Sequence, residues 1–278
     1  RLQIGVVNRQ LMLITDDTIM NTTTRRSYSL PRGVRLSLIG ASAALVAGCA
    51  SVPNPNPQDP WEGMNRGIYA FNETVDGALI KPIAEGYNAL TPQPARTCIS
   101  NIFNNLGDAW SAVNSFLQGE HVDFFNTLGR VLFNSTMGLG GCIDVATMNG
   151  SKRIPNDFGV TLGVWGIKSG PYVVLPFLGP STVRDGVARG TSFLEGFSST
   201  GPIMAIKDVP VRNSIMGLWA LDARAGVLDA EKLVNDIALD RYSFIRDAYL
   251  QRRHALVQAR RTGGDTSQDL PDYSDADE

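Results

Sequence analysis

From Trp61 onward, apolar residues recur at intervals of three or four, the spacing that gathers them on one face of an α-helix. Trp61, Met64, Ile68, Phe71, Val75 and Leu79 form the first such stripe. Pro82 is expected to kink or end it, because proline lacks the amide that an interior helical position needs, and Pro92 and Pro94 mark a turn. The cleanest stripe follows through Ile99, Ile102, Phe103, Leu106, Trp110, Val113, Phe116 and Leu117. Gly119 closes it, and Val122, Phe125, Leu128, Val131 and Leu132 predict a returning helix, so the pair reads as a helical hairpin.

Between 138 and 180 the pattern is broken by Gly138, Gly140, Gly141, Gly159, Gly163, Gly166, Gly170 and Gly179, together with Pro155, Pro171, Pro176 and Pro180. This stretch predicts compact loop with short helices and one extended piece at Tyr172 to Leu175. Shorter helices are expected over Thr182 to Phe197 and Val211 to Leu228, and a single long helix over Ala230 to Arg261. The fold class is therefore all-α with a Gly/Pro-rich middle. Periodicity separates the faces of each helix without saying which face meets core, water or lipid; an apolar face ordinarily packs into a core.

With 278 residues, 43% of them hydrophobic, the chain can bury a real core. Its formal charge of -2 hides an asymmetry: the first 48 residues carry six Arg and two Asp, leaving a net -6 on the rest. No clustered basic surface remains to neutralise phosphates, which argues against nucleic acid. Thr262 to Glu278 holds six acids and no base, so residues 262–278 read as a disordered acidic tail.

The N-terminus carries an address. Arg25, Arg26, Arg32 and Arg35 precede an apolar run from Leu36 to Val46, too short to cross a hydrocarbon core of about 30 Å as a helix. This is the layout of an export signal, with Met20 as its expected start and residues 1–48 removed. Val46-Ala47-Gly48-Cys49 resembles the lipobox of bacterial lipoproteins, which implies diacylglycerol and an N-acyl chain on Cys49. Ala50 at the next position implies the outer membrane of a Gram-negative cell. Residues 49–58, with Pro53, Pro55 and Pro57 among asparagines, form an extended spacer, and residues 59–261 form the domain.

Chemistry-bearing motifs are few. Asp157-Phe158-Gly159 spells a kinase magnesium motif, but no glycine-rich nucleotide loop or catalytic loop accompanies it. The glycines at 138, 140 and 141 lack phosphate-loop spacing and suit a tight turn better. No serine occupies a lipase elbow, and His121 and His254 have no recognisable partner, so no catalytic residue and no metal ligand is assigned. Cys98 and Cys142 would face an oxidising compartment if the chain is exported. Either a disulfide, worth roughly 4 kcal/mol in the chain-entropy model, or two free thiols fits the sequence.

Asp59-Pro60-Trp61-Glu62-Gly63-Met64-Asn65-Arg66 resembles the start of the mature domain in the MlaA family, also called VacJ lipoproteins. The likeness continues in order through Pro92-Gln93-Pro94-Ala95-Arg96, Phe116-Leu117-Gln118-Gly119, Asn134-Ser135-Thr136-Met137-Gly138-Leu139-Gly140-Gly141, Ile143-Asp144-Val145-Ala146, Asp157-Phe158-Gly159, Thr161-Leu162-Gly163, Gly170-Pro171-Tyr172 and Arg246-Asp247-Ala248-Tyr249-Leu250-Gln251-Arg252-Arg253. The resemblance implies a ring-like body of amphipathic helices embedded in the inner leaflet of the outer membrane. It further implies a polar channel for phospholipid misplaced in the outer leaflet, a trimeric porin as membrane partner, and a soluble periplasmic carrier, MlaC, as recipient. No covalent chemistry and no cofactor belong to that role. Within it, Phe71 and Asn72, with Gly138, Gly140 and Gly141, are expected to control access to the channel, and Tyr249, Arg252 and Arg253 to contact the carrier. The alternative is a structural envelope lipoprotein without transport; a lipid-degrading enzyme is the third reading.

Overall fold

The structure, a computed structural model, describes residues 56–194 and 200–262. The signal segment, Cys49 and most of the spacer lie outside the described residues, as do the end of the helix expected to reach Phe197 and the acidic tail from 263.

The first stripe forms helix α1 (Glu62–Val75) and does not stop at Pro82. A π-helical turn at Asp76–Ile80 leads directly into α2 (Lys81–Leu90), with the Lys81 amide donating to the Asp76 carbonyl five residues back. Pro82 falls in the first turn of α2, where a missing amide costs little. The wider turn therefore absorbs the proline that was expected to break the helix. After Pro92, α3 (Gln93–Leu117) runs 25 residues and packs against α4 (His121–Thr136), the hairpin that the stripes foretell. Gly119 reverses the chain at φ +81.

Short helices α5 (Val145–Met148) and α6 (Phe158–Val164) follow, each capped by an aspartate: Asp144 accepts from the Thr147 amide and Asp157 from the Val160 amide. Next comes an antiparallel hairpin of β1 (Tyr172–Leu175) and β2 (Gly179–Thr182), pairing Tyr172 with Thr182 and Leu175 with Gly179. The described residues are mostly helical, as expected, with this hairpin as their sheet, and of its strands only β1 was foreseen as extended. The rest is α7 (Val183–Leu194), α8 (Gly201–Met204), α9 (Val209–Ala225), α10 (Leu228–Ile237) and α11 (Arg241–Thr262). The single long helix expected from Ala230 is thus two. Ala238 turns extended, and Asp240 starts α11 afresh, accepting from the Tyr242 amide and the Ser243 hydroxyl.

Burial follows an unusual rule. Among the described residues, buried polar and charged side chains outnumber buried apolar ones, several of which are only alanines. The buried face of α3 comprises Asn105, Asp108, Ser111, Ala112, Asn114 and Ser115, while Val113, Phe116 and Leu117 point outward. On α4, Thr127, Arg130 and Asn134 are buried, and Val122, Phe125, Leu132 and Phe133 are exposed. An ordinary soluble helix has the reverse arrangement.

A buried charge must be met where it stands. Arg130, 2% exposed, donates to Asp108 (3.2 Å), Asp144 (2.8 Å), the Thr147 hydroxyl and the Ser151 carbonyl. Arg153 meets the other oxygen of Asp108 at 2.6 Å. Asn134 bridges Asp144 and the Ala146 amide, so one network ties α3, α4 and α5. Removing one member of a buried pair costs about 3–5 kcal/mol; Asp108→Ala is expected near the lower end, since Asp144 still faces Arg130, and the denaturant midpoint of unfolding reads the loss. Burial alone would raise the Asp144 carboxyl, but hydrogen bonds from Thr147, Arg130 and Asn134 hold it at about 2. Its folded pKa being depressed, its contribution is present above about 4 and fades as pH falls toward 2. Hydrogen exchange should therefore show α5 loosening across that window.

Candidate functional site

The motif around Asp59 is a strap. Tyr172, on β1, donates its amide to the Gln58 carbonyl at 2.8 Å, so the residues that emerge from the spacer lie along the hairpin. Asp59 is fully buried, accepting from Asn65 (2.7 Å), the Tyr242 hydroxyl (2.5 Å) and Arg246 (3.3 Å). Asn65 also donates to the Tyr172 carbonyl and accepts from the Val174 amide. Asp59 and its contacts thus join α1, β1 and α11 where the spacer ends.

Two turns further along α1, Asn72 repeats the move at the other end of β1. It donates to the Leu175 carbonyl (3.0 Å) and accepts from the Phe177 amide (2.8 Å). Phe71 beside it is exposed, its ring edge-on to Phe177 with centroids 5.4 Å apart.

The glycine segment packs elsewhere, against α3 and α4. A Cβ on Gly138 would lie 2.2 Å from the Ile143 carbonyl oxygen and 2.5 Å from that of Asn134, so no side chain fits. Leu139, Gly140 and Gly141 follow in the left-handed region at φ +53, +73 and +96, a run that favours glycine. Leu139 and Met137 face outward. Cys142, next in line, forms a disulfide with Cys98 on α3, and Asn101 donates to its carbonyl. Phe71 and Asn72 on one side, and Gly138 to Gly141 on the other, are therefore set on different partners rather than in one cluster.

The three residues suggested for carrier contact sit in different settings. Tyr249 donates to Asp185 at 2.9 Å, and Arg253 pairs with Asp185 and Asp157. Those two side chains are consumed in holding α11 to α6 and α7, and Arg252 alone of the three is exposed. Burial pushes both carboxyls up, yet the charge and hydrogen bonds of Arg253 hold Asp157 and Asp185 below the usual range. The lattice also explains two glycines: a Cβ on Gly159 would approach Asp185 to 2.6 Å and Arg253 to 2.7 Å, and one on Gly163 would meet Val257 at 2.7 Å and Arg184 at 2.8 Å. Another face of α11 lines an open groove of about 490 Å³, with Asp247, Leu250, Gln251 and His254 facing Asn56 and Gln58.

His121 and His254 lie at the surface, and among the described residues no set of His, Cys, Asp or Glu could hold a metal ion. Nor is any described helix long and apolar enough to cross a membrane.

The profile of MlaA lipoproteins matches residues 57–256. The chain belongs to the MlaA lipoprotein family. An intermembrane phospholipid transport system lipoprotein MlaA from Escherichia coli strain K12 is 37% identical over 230 residues, covering 81% of this chain and 89% of the relative. Its namesake from Haemophilus influenzae is 33% identical over 222 residues, 76% of this chain and 85% of that protein. A solved structure described as the structural basis for maintenance of bacterial outer membrane lipid asymmetry superposes with a TM-score of 0.61 and 33% identity, over 72% of this chain and 98% of that one. The MlaA resemblance drawn from the ordered motifs is thus shown.

Sequence reasoning assigned no role to the buried polar residues Asn65, Asn114, Arg130 and Arg246. A signal was present on α4, where Arg130 and Asn134 share the face opposite the apolar stripe. The glycine segment supplies a contrast to test. Gly140→Ala has open space and a left-handed strain of about 1 kcal/mol. Gly138→Ala must displace backbone and should cost several times more, or fail to fold. Paired unfolding midpoints separate the two, and thiol titration of the unreduced, unfolded chain should find neither Cys98 nor Cys142 free.

Proposed function

We propose that this chain is the lipoprotein component of a system that maintains outer-membrane lipid asymmetry, removing phospholipid misplaced in the outer leaflet. The observation that carries the reading is the inverted body, charged and hydrogen-bonded inside and apolar outside, in a fold with no described helix able to span a bilayer. Such a body is stable where hydrocarbon surrounds it and polar groups are satisfied internally. Lying in one leaflet, it offers a phospholipid two matched surfaces: tails slide along the apolar exterior, and the headgroup crosses by a polar channel through the interior.

Cys49, carrying diacylglycerol and an N-acyl chain, anchors the chain on the periplasmic face of the outer membrane, since several acyl chains hold firmly where one is marginal. The Asp59 strap ties that anchor to the body. A trimeric porin is the partner within the membrane, and the soluble carrier MlaC receives the lipid at α11, where Arg252 is exposed. Phe71 and Asn72, and separately Gly138, Gly140 and Gly141, govern access to the channel. No catalysis enters this role.

Cells lacking the gene test the reading, complemented by wild type or by Cys49→Ser at matched expression. Surface-exposed phospholipid is expected to rise several-fold on deletion and to return to normal only with the lipidated protein. Unchanged surface phospholipid after deletion would leave a structural envelope lipoprotein as the better reading.

A further inference from the structure

The end of the β-hairpin is built in a way that folding alone does not require. Three residues, Pro176, Phe177 and Leu178, connect β1 to β2, and all are exposed. Phe177 is 69% exposed and Leu178 61%, so two large apolar side chains stand in the open at one tip. Phe177 also adopts φ +61, a region that bulky residues avoid. Held there, its ring meets Phe71, itself exposed, rather than folding back onto the buried ring of Tyr172. A strained backbone that turns apolar surface outward persists only when its surroundings enforce it. Asn72 does so, with its side-chain amide bonded to both the Leu175 carbonyl and the Phe177 amide.

We infer that this tip inserts among the acyl chains of phospholipid, with Asn72 as the positioning residue that holds Phe177 and Leu178 outward. The inference rests on the leaflet-embedded reading and names the point of contact. Lipid is favoured over a protein partner by what the tip lacks. Between Pro171 and Val183 there is no charged side chain, and Pro176 and Pro180 have no amide hydrogen to satisfy. The Phe177 amide and Leu175 carbonyl are met from within by Asn72. Hydrocarbon demands such internal satisfaction, because it can supply no hydrogen bond; a protein surface could supply its own. The apolar character continues past the hairpin into Val183 and Val187 on α7.

The full lipidated chain is tested in vesicles of phosphatidylethanolamine and phosphatidylglycerol carrying a nitroxide either at mid-chain or on the headgroup. A fluorophore is attached, without reductant, to Leu178→Cys, and in a second preparation to Phe125→Cys on the outward face of α4. Mid-chain nitroxide is expected to quench the Leu178 label several-fold more than headgroup nitroxide does. Adding Asn72→Ala should erase that preference while the Phe125 label is unmoved. If the Phe125 label is quenched by acyl chains and the Leu178 label is not, the tip proposal falls and the embedded body stands. If neither label senses the acyl chains, the embedded reading fails and takes the tip with it. An Asn72→Ala chain whose Leu178 label is quenched as before would overturn the role given to Asn72.

Discussion

Arg130 sits inside the α3–α4 hairpin with almost no access to water, and everything around it is arranged so that this is tolerable. A guanidinium in that position would shift the chain toward unfolding unless carboxylates and carbonyls met it, and Asp108, Asp144 and Ser151 do. The consequence extends beyond one pair. Once the inward faces of α3 and α4 are given to charge and amide chemistry, their apolar faces have nowhere to go but out. The same inversion recurs at Asp59, wrapped by Asn65, Tyr242 and Arg246, and at Asp185, shared by Arg184, Tyr249 and Arg253. Three polar centres, not one oily core, hold the helices in register.

These centres draw their members from far apart. Asp59 joins Arg246 across 187 residues and Asp157 joins Arg253 across 96, so the body closes only when its N-terminal strap and last helix meet. Close approach is then required of the backbone, and Gly138, Gly159 and Gly163 stand where any Cβ would collide with a carbonyl or with the ion-pair lattice. Small hydrophobic clusters, such as Val160 with Leu256 and Val257, fill the remaining gaps. On the proposed reading no larger apolar core is needed, because lipid would cover the exposed apolar faces of α3 and α4.

Much of the helical layout was legible in the stripes: the hairpin of α3 and α4, the short helices of the middle, and the extended Tyr172 to Leu175. The faces were not. A helix whose apolar stripe looks inward and one whose stripe looks outward share the same period, and only the identity of the intervening residues, Asn105, Asp108 and Asn114 on α3 or Arg130 and Asn134 on α4, distinguishes them. Pro82 misled because a π turn is a tertiary accommodation that no local rule announces. The break before α11 could have been read, since Asp240 followed by Ser243 is a capping signal. Tyr249 and Arg253 pair with acids that lie scores of residues away, contacts that no local pattern announces; the motif marked them as important without saying to what. Asn72 was singled out by resemblance, and its reason, two hydrogen bonds to a hairpin tip, came only with the fold.

The proposed function requires the body to lie within one leaflet, apolar side outward, and not to be tethered in water beside it. Neutron reflectometry on the lipidated chain in a supported bilayer with contrast-matched acyl chains measures this directly. An inverted, embedded body places protein density inside the acyl layer of the anchored leaflet and displaces lipid there. A separate protein layer, divided from the acyl chains by hydrated headgroups, would contradict it.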